Sequence, residues 1–308
     1  MNKKVIVTTT IQNPTKAIEK FDNIKDWTLI VVGDRGTPKD YKLKNGIYFS
    51  PKDQEKYSKN LSESIGWNTH ARRNFGHLLA RDIGAEVIAS IDDDNIPLEN
   101  WGQDLLLGKE VEVNYYETSA EAFDPIGATN YPHLWHRGFP VQLVHNRDYS
   151  RVTRKRIKID VQANFWNGDP DVDAICRMIY APSCQFIKDQ FPMGSNKIGP
   201  FNSQNIFIIK ELLPHYFFLP HITQFGRMGD IWISFHIQAL GYKVVYCEPS
   251  VYQNRNYHNL TIDIKDELIG YQKNINIVKS INSGNYRKEA FWPEKTCRAY
   301  EAYQRLFE

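Results

Sequence analysis

Glu86–Asn95 reads EVIASIDDDN, and the rest of the chain is best understood outward from it. Val87, Ile88 and Ile91 have the pattern of a short buried strand. Asp92, Asp93 and Asp94 stand at its end, and Asn95, Ile96 and Pro97 break the pattern. Three consecutive carboxylates repel one another, and burying even one unpaired is costly. An apolar strand running straight into them predicts a bound cation. Mg²⁺ and Mn²⁺ take hard oxygen ligands, and Mg²⁺ in particular uses one or two carboxylates together with substrate phosphates. The stretch therefore reads as a metal–diphosphate site. The plainer alternative is an acidic turn in solvent, where Asp is common.

Upstream, the spacing of Phe75, Leu78, Leu79 and Ile83 predicts a helix over about Asn68–Ile83, closed by Gly84. Before it, Lys4–Thr10, Trp27–Val32 and Ile47–Ser50 read as strands. Asn13-Pro14 reads as a cap and first-turn proline opening a helix to about Phe21. Pro51–Ser64 is expected to be loop with some helix. The order β-α-β-β-α-β with short connections predicts an open, mostly parallel α/β sheet with helices on both faces. Ligands of such sheets bind beyond the carboxyl ends of the strands. Thr8–Thr10, Asp34 and the aspartate triplet all fall on that edge. The base and ribose of a nucleotide are expected over Asp34, with its diphosphate reaching a metal at the triplet.

The second half is less regular. Tyr131–Pro140 reads as loop, and Arg151–Asp160 (RVTRKRIKID) carries five basic residues. That run suits an anionic acceptor or an acidic membrane surface, or is simply a solvated strand. Asp169-Pro170 predicts a helix to about Ile179, Asn205–Ile209 and Lys243–Cys247 predict strands, and Asp230–Leu240 predicts a helix. The expected division is a catalytic domain over 1–260 and a mostly helical extension over 261–308.

Composition sets wider bounds. The chain has 308 residues, 42% hydrophobic and 24% charged, which argues against disorder. A net charge of +2 leaves no whole-chain footprint for nucleic acid, so none is expected as a partner. No apolar run is long enough to span a bilayer, and Lys3-Lys4 followed by a short apolar run is not a secretory signal. Cys176, Cys184, Cys247 and Cys297 have neither paired nor zinc-type spacing and read as reduced thiols. The expected location is the cytoplasm, with peripheral contact at the inner face of the membrane allowed by the basic run.

Gly66–Asn95 (GWNTHARRNFGHLLARDIGAEVIASIDDDN) is similar to nucleotide-sugar glycosyltransferases of the GT-A fold, in which an ARN-type helix precedes the strand bearing a DXD metal motif. More narrowly, Val31–Tyr41 (VVGDRGTPKDY), the IDDDN run and Trp166–Ala174 (WNGDPDVDA) together resemble the STELLO-type glycosyltransferases over roughly residues 3–260. A weaker likeness runs to the reversibly glycosylated polypeptides, which act as UDP-arabinopyranose mutases. The chain is expected to lack the membrane-anchoring N-terminus of the plant STELLO members, so Golgi placement is not carried over.

The resemblance implies roles. Asp92 and Asp94 match the outer acids of DXD and would hold Mn²⁺ or Mg²⁺, with His258 as a third ligand. Asp93 would meet the ribose or the sugar, Arg73 the diphosphate or the base, and Asp34 the base or ribose. Asn74 and Thr9 complete the cofactor-binding set. Asp230, in Gly229-Asp230-Ile-Trp232, matches the catalytic base of inverting members; otherwise it only caps a helix. Asp169, Asp171 and Asp173 would bond donor-sugar hydroxyls, or cap the following helix. His70 and His77 show no ligand spacing. The function implied is metal-dependent transfer of a sugar from a nucleotide-sugar, with UDP expected, to a glycan, lipid-linked glycan or other hydroxyl. The alternatives are a nucleotide-sugar mutase and a non-catalytic nucleotide-sugar-binding scaffold.

Overall fold

The computed structural model of the protein describes residues 3–220, 222–255 and 259–308. Its strands are β1 Lys4–Thr10, β2 Trp27–Gly33, β3 Ile47–Phe49, β4 Val87–Ile91, β5 Asn95–Pro97, β6 Glu110–Tyr116, β7 Val152–Lys158, β8 Val161–Gly168, β9 Met193–Ser195, β10 Asn205–Ile209 and β11 Val244–Gln253. Its α-helices are α1 Lys16–Asp22, α2 Pro51–Tyr57, α3 Lys59–Ile65, α4 Arg73–Asp82, α5 Ala174–Tyr180, α6 Ile222–Phe225, α7 Gly229–Ala239, α8 Leu260–Asn282 and α9 Glu294–Gln304. The strands form one mixed sheet in the order β3-β2-β1-β4-β10-β8-β11-β9-β6-β7, with β5 beside β11.

Parallel pairing joins β3, β2, β1 and β4. Strand β10 is antiparallel to both β4 and β8, and β8 is parallel to β11. Strands β1, β2, β3, β4, β8 and β11 therefore share one direction, and their carboxyl ends gather on one edge. This α/β sheet flanked by helices has the GT-A-like architecture the sequence predicts.

Strands covered on both faces are apolar throughout rather than alternating. In β1 and β2, Val5, Ile6, Val7, Ile30, Val31 and Val32 are all buried. Helix α4 lies close on these strands because Gly76 lacks a side chain: a Cβ there would meet Val7 at 2.4 Å and Val32 at 2.8 Å. Helix α1 brings Phe21 edge-on to Trp101, 4.9 Å between centroids, and Trp101 lies 5.2 Å from Phe207 of β10.

Several local expectations move. Helix α1 is capped by Thr15, whose hydroxyl accepts from the Ile18 amide, rather than by Asn13. Pro51–Ser64 folds into two helices, the first opened by a capping box of Ser50 and Asp53. The predicted helix over Asn68–Ile83 begins as a 3₁₀ turn, His70–Arg72, before α4. Helix α5 starts at Ala174 under an Asp173 cap, not at Asp169-Pro170. Strand β8 escapes a periodicity reading because its buried positions include Gln162, which bonds Asn164 at 2.9 Å. Among the described residues no helix is long and apolar enough to cross a membrane. Helix α8 packs on α5 and on the turn Gly226–Met228, and Tyr303 of α9 donates to the Leu213 carbonyl at 2.8 Å.

Candidate active site

A cavity of about 580 Å³ opens at the shared carboxyl edge. Thr9, Thr10, Asp34, His70, Arg73, Asp92, Asp93, Asp94, Arg137, Ser203, Arg227 and Asp230 are among its lining residues. Its size falls within the range of small-molecule sites.

The triplet sits where β4 ends, and each acid has a different environment. Arg73 of α4 forms an ion pair with Asp92 and also reaches the Ser203 hydroxyl at 3.2 Å. Asp93 is held from β1 and α1: Thr10 donates to its carboxylate and Thr15 to its carbonyl, each at 2.5 Å. Burial pushes the Asp93 carboxyl above its ordinary range, against the Thr10 bond. Asp94 receives one bond, from Gln253 at the end of β11, at 3.0 Å. Its other carboxylate oxygen is buried and has no hydrogen-bond partner among the described residues. Burial, then Asp92 and Asp93, push the Asp94 carboxyl well above the usual range. Burial and the neighbouring acids outweigh Gln253 and Arg255 in disfavouring charge on Asp94, and a bound cation would relieve this.

The opposite wall is an arginine–carboxylate network. Arg137 binds Asp171 through Nε at 2.9 and 3.1 Å, and Asp230 through its two terminal nitrogens at 2.7 and 3.1 Å. Asn202 adds a bond to Asp171 at 2.8 Å. Burial alone would raise both carboxyls, but Arg137 reverses this and holds Asp171 and Asp230 below the usual range. Arg227 ties this wall to α8 through Glu267 at 3.0 Å and Asp263 at 3.2 Å.

The predicted site residues divide clearly. Thr9, Asp34, Arg73, Asp92, Asp93, Asp94 and Asp230 all line the cavity. Asn74 does not: its amide donates to the Phe218 carbonyl at 2.9 Å and accepts from the Phe218 amide at 2.8 Å, a buried staple. Asp34 is only 2% exposed, and its oxygens accept from the amides of Arg35, Asn68 and Thr69. It therefore shapes the wall formed by Asn68 and Thr69. The Thr9 hydroxyl donates to the Val32 carbonyl at 2.6 Å. Asp230 is not a side-chain cap of α7, where Met228 is the capping position; it pairs with Arg137. Asp169 pairs with Arg177 at 2.5 Å, Asp171 with Arg137, and Asp173 accepts from Trp135 at 2.6 Å. Asp171 and Asp173 are buried in these contacts, while the Asp169 side chain stays 30% exposed. His258 lies outside the described residues.

Sequence reasoning missed Arg137, His70, Ser203 and Gln253. Arg137 sits in a loop with no periodicity, so nothing local marks it. His70 is brought into the cavity by the 3₁₀ turn, and burial lowers its pKa. The pattern Thr15-x-x-Ile18 did carry a signal, since a threonine opening a helix is a cap.

No protein-family model matches the chain. Two curated proteins of Arabidopsis thaliana are similar to it. One, named probable glycosyltransferase STELLO2, is 25% identical over 187 residues, covering 56% of this chain and 24% of that protein. The other, probable glycosyltransferase STELLO1, is 25% identical over 224 residues, covering 66% of this chain and 29% of that protein. The chain thus spans less than a third of the length of either relative. Over more than half its own length, and with a GT-A-like sheet, this chain is similar to the STELLO-type probable glycosyltransferases.

Proposed function

We propose that the protein transfers a sugar from a nucleotide-sugar, a UDP-sugar by preference, to a hydroxyl of a glycan or lipid-linked glycan, with Mn²⁺ or Mg²⁺ at the aspartate triplet. The observation that carries this is the buried, unpartnered oxygen of Asp94 beside Asp92 and Asp93. Among the described residues no three His, Cys, Asp or Glu side chains form a cage of their own. A cation at the triplet would therefore be held by one or two carboxylates and need substrate phosphates to complete its shell. Asp92 and Asp94 are the residues that would hold it.

When bound, the cation supplies charge neutralisation for the departing nucleotide diphosphate. The chain's own residues do the rest. Arg73 fixes Asp92 against the cavity wall, and Thr10 and Thr15 fix Asp93. The Asn68–Thr69 wall, pinned by Asp34, bounds the region expected to take the base and ribose. Asp230 accepts the hydrogen bond of the acceptor hydroxyl and takes its proton as the new glycosidic bond forms. Arg137 keeps Asp230 ionised at neutral pH and also weakens it as a base, so the proton moves late in the reaction.

The test is thermal stability against a panel of nucleotides and nucleotide-sugars, with and without Mn²⁺. A ligand specific for the native state adds about 2.7 kcal/mol at a hundredfold excess over its Kd. One UDP-sugar should stabilise only with metal, and Asp94→Asn should remove that metal dependence. Donor isomerisation without release of UDP would replace the transferase reading with a mutase. Stabilisation indifferent to metal, or unchanged in Asp94→Asn, would remove the triplet's role.

A further inference from the structure

A second cavity of about 560 Å³ lies at the amino ends of β8 and β11, across the sheet from the first. Tyr115, Lys155, Lys158, Lys197, Tyr242, Lys243 and Tyr246 line it, with Asp160 as its acid. Strand β11 starts here at Val244 and ends at Gln253, which bonds Asp94. At about 3.3 Å per residue the two cavities stand about 30 Å apart.

The charge of this groove is unbalanced. Asp160 accepts from the Lys243 backbone amide at 2.8 Å and forms no ion pair among the described residues. None of Lys155, Lys158, Lys197 and Lys243 has a carboxylate within ion-pair distance among the described residues. Lys197 is half-buried in this state. Four lysines and one aspartate thus line the groove. The floor is aromatic. Lys155 stands 4.2 Å over the Tyr115 ring, Tyr242 is partly open, and the buried Tyr246 hydroxyl has no hydrogen-bond partner among the described residues.

We propose that this groove binds an anionic glycan chain, one whose sugars carry carboxylate or phosphate. Unpaired ammonium groups would take the anions, and the partly open Tyr242 would take the apolar face of a sugar ring. A concave groove suits a chain better than a flat bilayer. Nucleic acid fits less well, because the whole chain carries only +2. The site is independent of the triplet: it would hold a polymer while the other edge does chemistry.

The experiment measures binding of the full chain to an oligogalacturonate, a poly(glycerol phosphate), a neutral dextran, anionic phospholipid vesicles and an oligothymidylate, at low and high salt. At least one of the two anionic chains should bind with salt-sensitive affinity and the neutral dextran should not. The combined variant Lys155→Ala, Lys197→Ala, Lys243→Ala should weaken that binding about tenfold or more, while leaving the melting temperature and any nucleotide-sugar stabilisation unchanged. Arg154→Ala with Arg156→Ala, outside the groove lining, should leave binding nearly intact. The proposal is overturned if neither anionic chain binds, if the lysine variant binds as well as the parent, if the arginine pair matters as much, or if vesicles or oligothymidylate bind more tightly.

Discussion

Replacing Arg137 by methionine gives the sharpest test of how this site is held. Arg137 is 7% exposed and makes four contacts of 2.7–3.1 Å with Asp171 and Asp230. Methionine fills much of the volume and removes every one of them. Breaking a buried ion pair by deleting one partner costs about 3–5 kcal/mol, because the other charge stays buried. Asp171 is stranded deepest, its side chain 2% exposed against 14% for Asp230, so water can reach one carboxylate and not the other. One full penalty follows, about 4 kcal/mol at pH 8. The pH dependence carries the diagnosis. In the parent, Arg137 depresses both carboxyls, so their contribution is present above the ordinary Asp range and lost in acid. In Arg137→Met, burial is opposed by His136 and Arg255 at Asp171 and by His70 at Asp230 but no longer by Arg137, and raises both carboxyls, so the unfolded chain releases its protons first and stability falls as pH rises from about 4. Denaturant unfolding at pH 5 and pH 8 should therefore show the larger loss at pH 8, with Asp171→Asn in the same chain restoring part of it. A loss below about 1 kcal/mol, or an equal loss at both pH values, would refute the reasoning.

Three further outcomes follow from the packing. Asn74→Ala strands the Phe218 amide and carbonyl and should lower stability by about 1–3 kcal/mol while leaving nucleotide-sugar binding unchanged, as read by denaturation and ligand-induced melting shifts. Gly76→Ala drives a methyl into Val7 and Val32 and should cost about 1–3 kcal/mol by the same denaturation assay. Burial lowers the pKa of His77 to about 3, of His136 to about 4 and of His236 to about 3. The unfolded chain takes up these protons first, so stability should fall as pH drops below about 6.5, by about 1.4 kcal/mol per pH unit for each histidine; His77→Phe should make that slope shallower.

Much of the architecture was legible before folding was considered. Strands β1, β2, β4 and β10 are short β-branched or apolar runs, and the helix before the triplet shows its buried face in the spacing of Phe75 and Leu78. Backbone preference and side-chain period are local properties, so neighbouring residues encode them. The triplet was legible for the same reason: three acids in succession after an apolar strand are one local pattern. Helix starts were less secure: Thr15 and Asp173 cap α1 and α5, although Asn13 and Asp169 just before them offer equally good local cap chemistry.

Partnership was not legible. Arg137 meets Asp171 and Asp230 across 34 and 93 residues of chain, and Gln253 meets Asp94 across 159. Asn74 has the same chemistry as a ligand-binding amide, yet the 144 residues that separate it from Phe218 fold so as to occupy both of its polar atoms. The sequence alone determined which segments become strands and helices and where a dense run of acid lies, because those depend on neighbours. Only the tertiary structure decided which of those acids are neutralised by arginine and which is left with a bare buried oxygen, because electrostatic environment depends on distance in space and not on distance along the chain.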